Sequence, residues 1–343
     1  MPQCVCDLPG YNSWPMISRA GNRLICLYSR GSEHTIDEPS RGIYARYSDD
    51  EGLHWSCEVM VNNDSEAGDV PIGKGMDPED GSVLFFVRRC TKGLASLLHD
   101  LYRTTDGIHF QRIATLDLDV PPMQITDILI LEEGVWMALW FAGDYSNRNH
   151  NSWGTLVSYD KGLHWKQNVV ENSLPKDQWP TEPSAVYLGN GRLLAVARRE
   201  YDREKPESIL AQFQLESVDY GKTWSKALTN ITDISESTPS LILTPSGKIC
   251  NYYYQRFAGF LKRRTVSAEA IWGNPTSWSE PEILLQASTD GCNAGNVNST
   301  VSGGTHILAY YKLAYLCQNI IDNGTFYHYL FLQFSNLHLS LFC

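Results

Sequence analysis

Apolar and polar positions along this chain alternate over short runs, with no sustained 3.6-residue period. Trp14 to Ala20 and Arg23 to Arg30 read as two strands joined by the tight turn Gly21-Asn22. The pattern returns at Glu182 to Arg198 around Gly189-Asn190-Gly191, and at Thr238 to Tyr254 around Ser246-Gly247. Two further units run from about Ile72 to Arg88 and from about Ile125 to Trp140, and a sixth begins at Asn296 with Gly303-Gly304 as its turn.

Behind these hairpins a second motif recurs. Ser48-x-Asp50-x-Gly52-x-x-Trp55, Ser158-x-Asp160-x-Gly162-x-x-Trp165 and Ser217-x-Asp219-x-Gly221-x-x-Trp224 share one spacing; Thr104 to Phe110 is a copy one residue shorter, and Thr276 to Ser279 keeps only the end. Their aromatics, Trp55, Phe110, Trp165, Trp224 and Trp278, lie 54–59 residues apart. In such a box the Asp carboxylate accepts N–H groups inside the turn, the Gly takes a positive φ, and the aromatic packs between sheets. The five aromatics are therefore expected to be largely buried. Repetition near this period, with strand-type units throughout, predicts an all-β, six-bladed β-propeller of four-stranded antiparallel sheets.

The repeats end near residue 312, so 1–312 is read as the propeller. The segment 313–343 is atypical, rich in aromatics and without a box; it is expected to complete or cap the last blade, or to be an altered end.

The formal net charge of −11 argues against nucleic acid or an anionic membrane surface as the main partner. No run approaches the roughly 18 apolar residues of a membrane span. The N-terminus has no basic, then apolar, leader, and the nine Cys form no CxxC pair; both features predict a cytoplasmic protein with reduced thiols. No His cluster suggests a metal, and no cofactor is expected.

Candidate chemistry falls on one end of the strands. The long polar loops after the second strands sit there, and so do the starts of the innermost strands. Three carboxylates belong to this face: Asp37, Asp127 and Glu182, the last beginning an innermost strand where matching units have Trp14 and Thr238. Arg30, Arg88 and Arg198 each end a second strand, and converging guanidinium forks suit a carboxylate. Trp140, Trp153 and Trp179 are candidate flat faces for a sugar ring, with blade packing as the alternative for Trp140; His34, His99 and His150 are candidate polar contacts.

The boxes resemble those of the sialidase (neuraminidase) superfamily. Thr181-Glu182-Pro183-Ser184, followed by Gly191-Arg192-Leu193-Leu194 and Arg198, is similar to the family segment that carries a catalytic Glu and a sialate-binding Arg. The resemblance implies catalytic roles for Glu182 and Asp37 and sialate-binding roles for Arg30, Arg198 and Arg256. Two positions depart from the pattern: Ser13 stands where the first-blade Arg belongs, and Asn293 to Asn298 has no Tyr where the family has its nucleophile. The expectation is a sialidase-like glycoside hydrolase acting on a terminal, acidic sugar of a glycan. The alternatives are a non-catalytic glycan-binding propeller and a polysaccharide lyase using Tyr145, His150 or Tyr254 as base.

Overall fold

The computed structural model describes residues 3–94, 97–143, 150–200, 211–234, 237–256, 258–286, 295–313 and 327–334. After β1 (Gln3–Cys6), blade one is β2 (Tyr11–Ala20), β3 (Arg23–Gly31), β4 (Gly42–Ser48) and β5 (Val59–Asn62). Blade two is β6 (Ala67–Met76), β7 (Val83–Thr91), β8 (Leu97–Thr104) and β9 (Gln111–Thr115). In blade three the innermost strand is broken into β10 (Gln124–Ile125) and β11 (Leu129–Ile130), followed by β12 (Trp136–Ala142), β13 (Asn151–Ser158) and β14 (Lys166–Leu174). Blade four is β15 (Pro180–Gly189), β16 (Arg192–Arg199), β17 (Phe213–Ser217) and β18 (Ser225–Leu228). Blade five is β19 (Ser240–Leu243), β20 (Lys248–Gln255), β21 (Phe260–Ser267) and β22 (Glu282–Gln286).

These five blades are antiparallel meanders, and the fold is an all-β propeller. The last sheet departs from the expected six alike. β23 (Gly295–Ser302) and β24 (Thr305–Leu313) pair antiparallel, but β25 (Tyr327–Phe334) lies parallel to β24 and to β1. The chain's first strand thus ends in the same sheet as its last. No helix among the described residues is long and apolar enough to cross a membrane.

The core lies between the blades. One buried cluster joins the last sheet to blade one through Ile307, Tyr311, Ile17 and Tyr28; the next joins blades one and two through Leu27, Ala45, Phe85 and Val87. The series continues around the ring and closes through Tyr254, Leu261, Leu308 and Tyr310. Trp165 packs on Phe86 of the preceding blade at 5.6 Å and Trp224 on Trp153 of the preceding blade at 5.9 Å, while Phe110 packs edge-on to Phe85 of its own blade at 6.0 Å. Only Trp278 is fully buried; the other four keep one edge in solvent, less enclosed than the repeat predicts. The reason is position. The aromatic closes the outer hairpin, at the mouth of the interblade seam.

The boxes are hydrogen-bonded alike. Asp160 Oδ1 accepts the His164 N–H at 2.9 Å and the Ser158 hydroxyl at 2.9 Å, and the Gly162 N–H donates to Ser158 Oγ at 2.8 Å. Gly162 has φ +85, and a Cβ there would meet Leu101 Cδ2 of the preceding blade at 2.4 Å, so the turn requires glycine twice over. The His164 N–H and ring hold the Asp160 carboxyl down at about 2, and His54 does the same for Asp50. A depressed carboxyl stabilises the fold fully above its ordinary value of 3.8, and the contribution fades as pH falls toward about 2. Asp160→Asn should therefore lower the thermal midpoint at pH 7, and the gap to the unsubstituted protein should close between pH 4 and 2, in roughly the window the two values set. A gap constant across that range would contradict the box assignment.

Candidate functional site

A cavity of about 720 Å³ opens on the propeller axis. Every sheet contributes its innermost strand or the segment leading into it: Trp14-Pro15-Met16, Val70 to Gly73, Gln124 with Thr126 and Asp127, Glu182-Pro183-Ser184, Thr238-Pro239-Ser240, and Asn296-Val297-Asn298. No box residue lines it.

The innermost strands reach the axis through a shared distortion. Pairing slips between Ser13 and Met16, between Thr181 and Ser184, and between Gly295 and Asn298. The residue inside each slip has a positive φ: Trp14 at 49, Glu182 at 47 and Asn296 at 46. Such values are costly for residues with a Cβ, and bulges re-aim side chains. Blade two uses Gly73 instead, at φ +52, where a Cβ would meet the Thr126 carbonyl oxygen at 2.2 Å. That close approach ties blade two to the break in blade three: the Ile128 N–H donates to the Lys74 carbonyl at 2.7 Å, and the Lys74 N–H to Asp127 Oδ1 at 3.1 Å. The Lys74 side chain crosses to blade one and the last sheet. Its ammonium donates to Ile17 O at 2.7 Å, to Asn298 Oδ1 at 2.6 Å and to Ser299 O, using three donors on three acceptors. Burial of that ammonium brings its pKa down to about 8, although the stem stays partly open.

Seven of the residues expected at the site line this one cavity: His34, Asp37, Asp127, Glu182, Arg88, Arg198 and Arg256. Asp37 comes from the loop after β3, and its Oδ2 accepts the Gly93 N–H of blade two at 2.6 Å. Glu182 Oε2 accepts from Arg198 Nη1 at 2.9 Å. Arg88 donates to the Met123 carbonyl at 2.5 Å. Arg256 is 6% exposed, donates to Asn296 Oδ1 at 2.7 Å, and has no carboxylate partner among the described residues. It is a nearly buried cation whose charge is not neutralised there, on the wall of a cavity.

Other expected residues lie elsewhere. Arg30 points into the blade: it pairs with Glu58 at 2.6 Å and lies 4.0 Å over the Tyr44 ring. Trp153 is buried, donates to Glu171 Oε2 at 2.7 Å and packs on Trp224. Trp179 is buried edge-on to Phe141 and donates to the Ser152 carbonyl at 3.1 Å. Both are core, not sugar platforms. His150 is exposed and lines no part of the cavity. Trp140 and His99 are likewise buried in the blades, and Tyr254 stacks on Tyr310. Tyr145 and the loop 201–210 lie outside the described residues.

Trp14 and His34 form the wall of blade one. The His34 ring stacks on Trp14 at 5.4 Å and on Tyr11 at 5.3 Å. His34 is exposed as a residue, yet the rings stacked on it, then the nearby Arg256 and Arg41 cations, push the imidazole down to about 4 against the pull of Glu182. Behind this wall lies Arg41, fully buried and passed over by the sequence reading. Its Nη1 contacts Ser29 Oγ at 3.3 Å and Ser13 Oγ at 3.5 Å, and its Nη2 pairs with Glu38 at 3.0 Å. A guanidinium therefore does reach Ser13, but it comes from the residue just before β4 and is already paired.

With this geometry in hand, comparison with known families is decisive on one point. A model of the BNR repeat-like domain matches residues 22–288. The chain belongs to the BNR repeat-like domain family. Among solved structures this BNR repeat-like chain is similar to a protein of unknown function from Dyadobacter fermentans, with 16% identity and a TM-score of 0.69 over 87% of this chain and 89% of that one. It is also similar to the Hadza microbial sialidase Hz136, with 14% identity and a TM-score of 0.65 over 85% of this chain and 61% of that one. The Trypanosoma rangeli sialidase, solved in complex with sialic acid, gives 13% identity and a TM-score of 0.59 over 87% and 51%. The chain thus spans about half to three fifths of those two sialidases. At such identities the likeness shows the fold: a sialidase-type propeller. No curated protein matches the sequence.

Proposed function

We propose that this protein is a sialidase-like glycoside hydrolase that removes a terminal acidic sugar from a glycan. The observation that carries this reading is the meeting of Asp37, Asp127 and Glu182 with Arg88, Arg198 and Arg256 around one axial cavity. Cleaving a glycosidic bond needs one carboxyl group to donate a proton and a second, ionised one to act on the opposite face of an oxocarbenium-like centre. Glu182 suits the second role. Arg198 holds its Oε2, its Oε1 has no hydrogen-bond partner among the described residues, and its strained backbone sets it on the cavity wall. Asp37 suits proton donation: one oxygen is fixed by the Gly93 N–H, which leaves the other to carry the proton. With Asn296 on the last-blade wall, and no Tyr among the described residues that line the cavity, Glu182 acts on water or on the anomeric carbon directly. Arg256 receives the sugar's carboxylate as a charge-assisted pair.

A second reading keeps the same cavity. His34, an imidazole kept neutral at pH 7, and Arg256 line one space, the pairing a lyase uses to abstract the proton beside a neutralised uronate. Purified protein tested on aryl glycosides of sialate, ulosonates, uronates and neutral sugars, and on a polyuronate, separates the readings. Release of aryl alcohol from the acidic glycosides alone supports hydrolysis. An unsaturated, ultraviolet-absorbing product from the polyuronate supports the lyase. Binding without turnover of any of them leaves a glycan-binding propeller.

A further inference from the structure

Glu200 is the least expected group near the cavity. It lies just past the end of β16, two residues beyond Arg198, so the extended chain puts both on one side. Its side chain is 4% exposed, an unusual setting for a carboxylate. Glu200 Oε1 lies 2.9 Å from Arg198 Nε and accepts the Thr181 hydroxyl at 2.9 Å, while Oε2 accepts from Arg198 Nη2 at 3.1 Å. One hydrogen bond, from Nη2, and one close charge contact, at Nε, thus tie this edge of the guanidinium to Glu200. The remaining terminal nitrogen, Nη1, serves Glu182 at 2.9 Å. Arg198 thus faces two carboxylates of its own chain, and Glu200 lies along its Nε–Nη2 edge. Arg256, on the same cavity, has none among the described residues.

We propose that Glu200 is a specificity-determining residue: it occupies the Nε–Nη2 edge of Arg198 as an internal anion, withdraws that guanidinium from ligand recognition, and dedicates it to orienting Glu182. The carboxylate of a bound sugar acid is then left mainly to Arg256. This rests on the axial cavity being the sugar site. It also separates this chain from a site in which every cavity arginine serves the ligand, since here one of them is filled from within.

The test uses Glu200→Gln, which keeps the shape and one acceptor but removes the charge. N-acetylneuraminic acid and its methyl ester, which lacks the anion, are titrated calorimetrically against both proteins. The affinity ratio of acid to ester should rise at least about fivefold in Glu200→Gln, as expected when a like charge is removed a few ångströms from the ligand anion. It should fall toward one in Arg256→Met. An unchanged or lower ratio in a Glu200→Gln protein with the same thermal midpoint overturns the proposal. A second readout is independent of any sugar. Hydrogen exchange at Arg198 Nε, followed by NMR of arginine-labelled protein, should be slow, and at least about tenfold faster in Glu200→Gln but not in Glu182→Gln, because only the former loses the ion pair at that nitrogen. Equal exchange in all three overturns the lock. Slow exchange with no binding of either sugar keeps the lock and removes the sugar-site reading.

Discussion

Glu182→Gln should reduce turnover by roughly 10²–10⁴-fold, the contribution of a positioned acid or base, while moving the thermal midpoint by only a few degrees or so. The separation of the two effects follows from the geometry. Gln keeps an oxygen for Arg198 Nη1, and Arg198 keeps its pair with Glu200, so no buried charge is left alone. The φ of 47 is unchanged by the substitution, because both side chains branch alike. What is lost is the ionised carboxylate on the cavity wall. Turnover measured on an active glycoside, beside thermal unfolding, decides the matter: full activity in Glu182→Gln refutes the role, and collapse of the midpoint would make the residue structural.

The second large effect concerns a residue that the sequence suggests for sugar stacking. Trp153→Ala should destabilise the protein by about 3–5 kcal/mol, the usual cost of emptying a large aromatic site. Trp153 is 1% exposed, holds Glu171 and supports Trp224 of blade four. Urea unfolding should show an earlier midpoint with an unchanged slope, and at low denaturant the surviving folded protein should bind sugar normally. A normal midpoint with lost sugar affinity would return Trp153 to the site.

The contrast between these residues shows how far the sequence could be read. The boxes carry the fold because one turn chemistry recurs at a fixed period, and Glu182 is legible because an acid before Pro at the start of an innermost strand is out of place in a buried strand. Trp153 and Trp179 mislead because a propeller covers both faces of its middle strands, so an aromatic beside a polar loop packs against the next blade. Arg30 misleads by register. It pairs with Asn12, whereas Arg198 pairs with Thr181, the residue before the bulge at Glu182. The counterpart of Arg198 in blade one is Ser29, which pairs with Ser13 before the bulge at Trp14, and the counterpart of Arg30 is Arg199, which likewise turns into its blade against Asp177. A one-residue offset reverses the face. The bulge that creates the offset depends on pairing between strands and leaves no clear mark in the sequence. Glu200 was within reach of the same reasoning, because it stands two positions after an arginine already singled out.

The central claim is that an acidic sugar binds on the propeller axis between Glu182 and Arg256. A crystal structure of the protein soaked with N-acetylneuraminic acid measures this directly. The predicted result is a sugar in the axial cavity with its carboxylate on Arg256 and its anomeric carbon between Asp37 and Glu182. A sugar bound on the box face or the outer rim, with the axial cavity empty, would contradict it.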